Sequence, residues 1–95
     1  MKKLNKQKRY AIAYAENALS FVFLDSNIKD SVKRIYLFGS AVREELSGES
    51  DIDIFVDCDN SKDKIVEGIF KSAFSRFYDS KDYHKWKLLK FDYPL

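Results

Sequence analysis

The sequence predicts a small α/β (α+β) domain in which a small mixed sheet is flanked by helices. Three observations lead to this class. Apolar residues recur at helical spacing in the first quarter of the chain and again after residue 61, and two short runs rich in β-branched and aromatic residues lie between them. Helices and strands that alternate in this way usually pack as a sheet against helices. At 95 residues, the chain is expected to form one domain, residues 1–95.

The first helix is expected from about Lys8 to Leu24. Its apolar residues recur every three or four positions and form a stripe on one face: Ile12, Ala15, Leu19, Val22 and Phe23. Five basic residues come before the stripe or at its start: Lys2, Lys3, Lys6, Lys8 and Arg9. Glu16 and Asn17 interrupt the apolar part and no small-residue cleavage site follows, so we interpret this stretch as a helix and not as a secretion signal.

Composition narrows the class of protein only in part. The formal charge of +2, from 17 basic and 15 acidic residues, predicts no particular partner. No apolar run approaches the ~20 residues that span a bilayer. The single cysteine, Cys58, excludes an internal disulfide, and with the lone His84 it offers too few ligands for a zinc site. We therefore expect a soluble, cytoplasmic protein.

Two strands are expected in the middle of the chain. The first, "VKRIYLF" at residues 32–38, stops at Gly39, and the second is "DIDIFVD" at residues 51–57. Between them, Ser40 is placed to cap a short helix through Leu46, with Gly48 just past its end.

The last third of the chain predicts at least one more helix. Asn60 or Ser61 opens it, and its wide apolar face is formed by Ile65, Val66, Ile69, Phe70, Ala73, Phe74 and Phe77. Beyond it, two alternatives stay open. Either Ser80 caps a final helix that carries Tyr83, Trp86 and Leu89, or residues 86–93 form a third strand.

Asp51 and Asp53 are unusual, because they stand where a strand would normally carry apolar residues. Residues two apart in a strand point to the same face, so the two carboxylates are expected within ~6–7 Å of each other, opposite Ile52 and Ile54. Two like charges held together are costly unless a cation neutralises them. Carboxylate oxygens, waters and phosphates are the usual ligands of Mg²⁺. The sequence therefore predicts that Asp51 and Asp53 bind Mg²⁺.

Gly39 and Ser40 lie where a strand passes into the expected helix, which is a common place for a phosphate. Glycine allows close approach to the backbone, the helix N-terminus presents free N–H groups, and Ser40 adds a hydroxyl donor. Arg43, one turn later, can supply a cation to the same phosphates. A phosphate-binding turn beside two metal-binding acids is suited to phosphoryl or nucleotidyl transfer.

These residues resemble the signature of a known family. Gly39-Ser40, ten intervening residues and then Asp51-x-Asp53, with Ser50 directly before, resemble the DNA polymerase beta-like nucleotidyltransferase superfamily, and most of all its minimal nucleotidyltransferase branch. The resemblance implies a nucleotidyltransferase-like fold. It implies nucleotide or phosphate contacts for four residues (Gly39, Ser40, Arg43 and Ser50) and Mg²⁺ ligation by both aspartates, with ATP or another NTP as the ligand.

The resemblance also implies a third carboxylate, from a later strand, that helps to activate the acceptor hydroxyl. Asp92 in "LKFDYPL" is the candidate, so that the expected catalytic set is Asp51, Asp53 and Asp92. Two features depart from the family's pattern. Pro94 would interrupt the strand that should carry Asp92, and Glu44 replaces the glycine that usually follows the arginine, which places a negative charge near the phosphate site.

Three functional hypotheses follow. The first is a Mg²⁺-dependent nucleotidyltransferase that moves a nucleoside monophosphate, AMP from ATP, onto an acceptor hydroxyl; the resemblance points to a hydroxyl on a partner protein such as a HEPN-type toxin. The alternative is a catalytically weak or inactive antitoxin-like or regulatory binding module of a toxin–antitoxin pair. The third is an RNA-binding protein that uses the basic N-terminus. Two strands alone leave exposed sheet edges, so a homodimer or heteromer is expected.

Overall fold

A computed structural model of the chain describes residues 6–24, 28, 30–40, 42 and 51–95. In this described part, three α-helices and one antiparallel pair of strands form a small α+β domain, which confirms the predicted class. The elements are α1 Lys6–Val22, β1 Val32–Phe38, β2 Asp53–Cys58, a 3-10 turn at Asn60–Lys62, α2 Asp63–Tyr78 and α3 Lys81–Leu88. Among these helices, none has the length and apolar character needed to cross a membrane.

The sheet register gives its two faces distinct chemistry. β1 and β2 pair from Val32 opposite Cys58 to Phe38 opposite Asp53, with an irregularity between Val32 and Arg34. The inner face packs against the helices and carries Ile35, Leu37, Ile54, Val56 and Cys58. The opposite, outward face carries Arg34, Tyr36 and Phe38 from β1 and Asp53, Phe55 and Asp57 from β2. Successive side chains of a strand point to opposite faces of the sheet, so this alternation is expected for a half-buried strand.

The helical layer is built from small residues on α1 and aromatic residues on α2. Ala11, Ala15 and Ala18 are fully buried, so α1 can approach its neighbours closely, and Tyr14 and Phe77 lie edge to face with ring centroids 5.4 Å apart. Burial of Phe70 and Phe77 confirms most of the apolar face predicted for this helix, although Ile65 is 56% exposed.

α3 decides between the two alternatives for the last third of the chain. Ser80 Oγ accepts a hydrogen bond from the backbone N–H of Tyr83 and so caps α3. Trp86 Nε1 donates to Asn17 Oδ1 (2.9 Å), and Asn17 Nδ2 donates to Asp82 Oδ2 (3.1 Å), which joins α3 to α1. The helical alternative is therefore right, and the third strand at residues 86–93 is wrong. The strand prediction failed because Ser80 caps a helix whose Trp86 packs against Tyr14 of α1.

Some element boundaries differ from the predicted ones. β1 has the predicted bounds, whereas α1 starts and ends two residues earlier than predicted, and β2 starts at Asp53 instead of Asp51. The 3-10 turn takes the place of the first residues predicted for α2, because Asp59 accepts a hydrogen bond from the Ser61 N–H there. Most of the short helix predicted from Ser40 through Leu46 lies outside the described residues, which include only Ser40 and Val42 of it.

Candidate functional site

Gly39 allows the end of β1 to lie directly against the segment that leads into β2. It is buried and adopts a φ of +120°. A Cβ atom at this position would lie 2.7 Å from the carbonyl oxygen of Asp51 and 3.1 Å from the amide nitrogen of Asp53. Both contacts are with backbone atoms, which cannot rotate away. Glycine is thus required for the close approach of the turn to the two aspartates.

Ser40 holds the carboxylate of Asp51. The Ser40 backbone N–H and Oγ both donate to Asp51 Oδ1, at 3.1 and 2.8 Å, and the Asp51 backbone N–H donates to Ser40 Oγ at 3.1 Å. These bonds stabilise the charged form, so the backbone N–H of Ser40 first, and then its hydroxyl, lower the pKa of Asp51 below its ordinary value. At neutral pH Asp51 is therefore an oriented carboxylate anion.

Asp53 is the first residue of β2 and is exposed on the outward face, opposite Phe38. Ile52 between the aspartates is buried, so the two acidic residues flank a core residue. The structure therefore brings together the two carboxylates that the sequence predicts as metal ligands.

The prediction that Asp51 lies within the second strand is wrong. Asp51 and Ile52 precede β2, and the Ile52 N–H donates to the carbonyl oxygen of Pro94 at 3.2 Å. The last pair in register with β1 is Asp53 with Phe38, because the chain turns away at Gly39. Asp51 is consequently positioned by the side chain and backbone of Ser40 instead of by the strand ladder.

Asp92, the predicted third carboxylate, lies in the C-terminal segment 91–95, which is neither helix nor strand. Its Oδ1 accepts a hydrogen bond of 2.7 Å from the hydroxyl of Tyr83. Burial and this bond to Asp92 raise the pKa of Tyr83 to about 12. The bond between Ile52 and Pro94 brings this segment alongside the two aspartates. Asp92 is nevertheless not gathered with them, since no group of three or more His, Cys, Asp or Glu residues placed to hold a metal occurs in the described residues. Its catalytic role stays a prediction.

Three further residues that the sequence singles out lie outside the described residues: Arg43, Glu44 and Ser50. The phosphate contacts of Arg43 and Ser50 therefore stay predictions. Sequence reasoning missed two residues at the edge of the site. These are Tyr83, the partner of Asp92, and Pro94, the partner of Ile52. Neither contact has a local sequence signal, because each joins parts of the chain that meet only in the folded domain.

Cys58 and His84 are two polar residues that the sequence analysis leaves out of the site. Cys58 Sγ donates to Asp63 Oδ1 at 3.2 Å, and this bond, together with burial, raises the pKa of the thiol. A raised pKa keeps the thiol neutral and unreactive. His84 is exposed on α3.

A groove of about 610 Å³ lies between β2 and α2, on the inner side of the sheet. Its walls are mostly apolar, formed by residues such as Ile54, Val56 and Phe70, and its charged lining is Asp53, Asp63, Glu67 and Lys71. Three acids and one lysine make the lining net negative, which disfavours a triphosphate unless a cation accompanies it. Asp53 thus borders both this groove and the outward face next to Gly39 and Ser40.

An antiparallel strand pair backed by helices, with a Gly-Ser turn beside two neighbouring aspartates, is typical of a nucleotidyltransferase-type domain. The family model described as "Polymerase beta, Nucleotidyltransferase" matches residues 23–88, which is more than half of the chain and includes Gly39, Ser40, Asp51 and Asp53. The chain therefore belongs to this family, as the sequence motif predicts. Asp92 lies beyond the matched residues, and membership of the minimal branch stays a prediction. No curated protein and no solved structure matches the chain.

Proposed function

We propose that the protein is a metal-dependent nucleotidyltransferase that transfers AMP from ATP to an acceptor hydroxyl and releases pyrophosphate. One observation carries this proposal: Ser40 holds an ionised Asp51 next to the exposed Asp53. Both aspartates belong to the part of the chain that the nucleotidyltransferase family model matches. A pair of oriented carboxylates is the protein's usual share of a site that binds a metal–nucleotide complex.

The two aspartates fit a divalent cation such as Mg²⁺. They offer hard oxygen ligands, and the lowered pKa of Asp51 makes its carboxylate available without loss of a proton at neutral pH. Asp51 and Asp53 would hold the cation. When bound, it would supply charge neutralisation at the transferred phosphorus and at the leaving pyrophosphate.

The chain's own groups would bind and orient the reactants. Ser40 Oγ carries one proton, which it donates to Asp51, so contact with a phosphate oxygen requires the hydroxyl to turn away from Asp51. In the transfer, the acceptor oxygen would bond to the α-phosphorus while the bond from that phosphorus to the bridging oxygen breaks. The proton of the acceptor would pass to a carboxylate, for which Asp92 is the predicted group.

Calorimetric titration with ATP and Mg²⁺ tests the binding step. We expect the wild-type protein to bind ATP only with the metal, and Asp51→Asn and Asp53→Asn each to weaken binding at least about tenfold, because each removes a charged ligand. Asp79→Asn, at an exposed acid after α2, is the matched control and should bind like wild type. Failure of the wild-type protein to bind ATP with Mg²⁺ would overturn the proposal.

The position of the label in ATP identifies the reaction. Added to a cell lysate as the source of acceptor, the protein should increase transfer of label from the α-phosphate and leave transfer from the γ-phosphate at the level of the lysate's own kinases. Transfer of the γ-label instead would show a kinase and contradict nucleotidyl transfer.

We also propose that the acceptor hydroxyl lies on a partner protein, of the HEPN-toxin type that the resemblance implies.

A second candidate is an antitoxin-like binding module with weak or no catalysis. The bond from Tyr83 to Asp92 favours it, because this bond occupies one oxygen of the predicted third carboxylate. In this case the Asp51→Asn, Asp53→Asn double variant would still neutralise its partner. Loss of neutralisation in the double variant, with the complex still formed, would instead support the enzyme. Only two strands pair among the described residues, which favours assembly as a homodimer or heteromer, and sedimentation as a monomer at micromolar concentration would argue against this.

A further inference from the structure

Three large aromatic side chains are exposed together on the outward face of the sheet. Tyr36, Phe38 and Phe55 are 44%, 45% and 57% exposed, and we call them the aromatic face. Tyr36 lies opposite Phe55, with ring centroids 6.0 Å apart, and Phe38 lies two residues further along β1 on the same side. Single exposed apolar residues are ordinary, whereas neighbouring large ones indicate a binding surface.

The aromatic face is continuous with the two-aspartate site. Phe38 pairs with Asp53 in the strand register and directly precedes Gly39. Tyr36 and Phe55 lie one same-face step further from the site, about 7 Å along each strand. This is comparable with the separation of a nucleobase from its own 5′-phosphates. A nucleotide whose phosphates lie at the turn can therefore place its base over the aromatic face.

The geometry of the rings suits stacking by an added ring. Tyr36 and Phe55 are tilted by 46° to each other and are not stacked, so neither ring covers the face of the other. Every nucleobase has a π-face that can lie on an aromatic side chain, and this contact does not depend on the hydrogen-bonding pattern of the base. The larger ring system of a purine covers more of the two side chains than a pyrimidine does.

We propose that Tyr36, Phe38 and Phe55 form a stacking subsite for the base of a purine nucleoside triphosphate, whose phosphates lie at Gly39, Ser40 and the two aspartates. This inference rests on the proposed function and adds the recognition of the base. The subsite prefers ATP and GTP to CTP, and it does not distinguish ATP from GTP, because stacking reads ring size and not hydrogen bonds.

Calorimetric titration in the presence of Mg²⁺ tests the subsite with four ligands: ATP, GTP, CTP and inorganic tripolyphosphate. We expect ATP and GTP to bind alike, more tightly than CTP, and tripolyphosphate to bind most weakly. Phe55→Ala and Tyr36→Ala should each weaken ATP binding about 5- to 150-fold, the usual range for loss of one stacked base. They should leave tripolyphosphate binding unchanged.

Two control variants separate stacking from other effects. Phe55→Leu keeps an apolar side chain without a ring, so it should weaken ATP binding nearly as much as Phe55→Ala. Phe23→Ala removes an aromatic side chain of similar exposure that lies just after α1, and it should bind ATP like wild type.

The outcomes distinguish this inference from the function on which it rests. If ATP and tripolyphosphate bind equally well and no aromatic variant changes ATP affinity, the stacking subsite is wrong while the metal–phosphate site stands. If no ligand binds with Mg²⁺, both fail. If Phe55→Ala converts a dimer into a monomer and leaves ATP affinity unchanged, the aromatic face is a protein interface and the subsite is again wrong.

Discussion

Ser40 and Asp51, eleven positions apart in the chain, are joined by three hydrogen bonds that use both the backbone N–H and the hydroxyl of the serine. The sequence motif alone assigns Ser40 to a phosphate. The folded chain gives it a second role, because the same groups that could contact an anion hold the neighbouring carboxylate in its charged form. Ser40 is thus a positioning residue for Asp51, and this role can be tested without any ligand.

Replacing Ser40 should change the titration of Asp51. In Ser40→Ala the hydroxyl donor is lost, so we expect the pKa of Asp51 to rise toward its ordinary value, although the backbone N–H of residue 40 still lowers it. Carbon-detected NMR titration of the Asp51 carboxyl measures this directly. Ser75→Ala, at an exposed position on α2, is the control. An Asp51 titration that is identical in Ser40→Ala and wild type would contradict the role of the hydroxyl.

The same interaction makes a defined contribution to stability against acid. The pKa of Asp51 is lower in the folded than in the unfolded state. The bonds from Ser40 to ionised Asp51 therefore add to the free energy of unfolding in full above the unfolded-state pKa, and this contribution is lost as pH falls through the folded-state pKa. Urea unfolding of wild type and Asp51→Asn should differ above the unfolded-state pKa of Asp51 and converge in stronger acid. A difference that stayed constant, or grew, on acidification would show that Asp51 acts on stability by another route.

The two described glycines should respond to alanine in opposite directions. Gly39→Ala places a Cβ against the backbone of Asp51 at a positive φ, so we expect a loss of about 1–3 kcal/mol in the free energy of unfolding. Gly68 lies exposed in α2 with no atom within 4 Å of the added Cβ, so Gly68→Ala should stabilise the protein by about 0.5–1 kcal/mol. Urea denaturation followed by far-UV circular dichroism compares them. Equal effects of the two changes would refute the close-approach explanation.

The hydroxyl of Tyr14 is buried without a hydrogen-bond partner among the described residues, although its ring packs against three other aromatic rings. An unsatisfied buried hydroxyl is costly, so Tyr14→Phe should keep or increase the free energy of unfolding, by up to about 1 kcal/mol. Tyr83→Phe is the informative comparison, since it removes a hydroxyl that is bonded to Asp92 and should destabilise. Marked destabilisation by Tyr14→Phe would mean that its hydroxyl has a partner.

Local patterns predicted the elements well where one residue type determined the outcome. β1 ends at Phe38 as expected because Gly39 follows, and the hydroxyl of Ser80 begins α3 by capping it. The pairing of Asp51 with Asp53 beside the Gly-Ser turn was also predictable, because their spacing forms a family motif. By contrast, the Ile52 N–H just before β2 bonds to Pro94 instead of to β1, and no local pattern reports a contact between such distant positions.

The sequence also could not show how the site's polar groups divide their hydrogen bonds. A serine next to a glycine can serve a phosphate, a helix end or a carboxylate, and only the distances in the folded chain show that Asp51 receives its donors. The hydrogen bond from the hydroxyl of Tyr83 to Asp92 is a similar case. Competition between acceptors is a property of three-dimensional proximity, which a motif does not contain.

The hydrogen bond from Trp86 to Asn17 has a practical consequence for spectroscopy. The chain's single tryptophan lies at the junction of α1 and α3, edge to face with Tyr14 at 5.7 Å between ring centroids. Its emission should therefore report the separation of these two helices, whereas far-UV circular dichroism follows the backbone of the whole domain. Coincident unfolding curves from the two signals would show that the helical layer and the sheet melt as one cooperative unit.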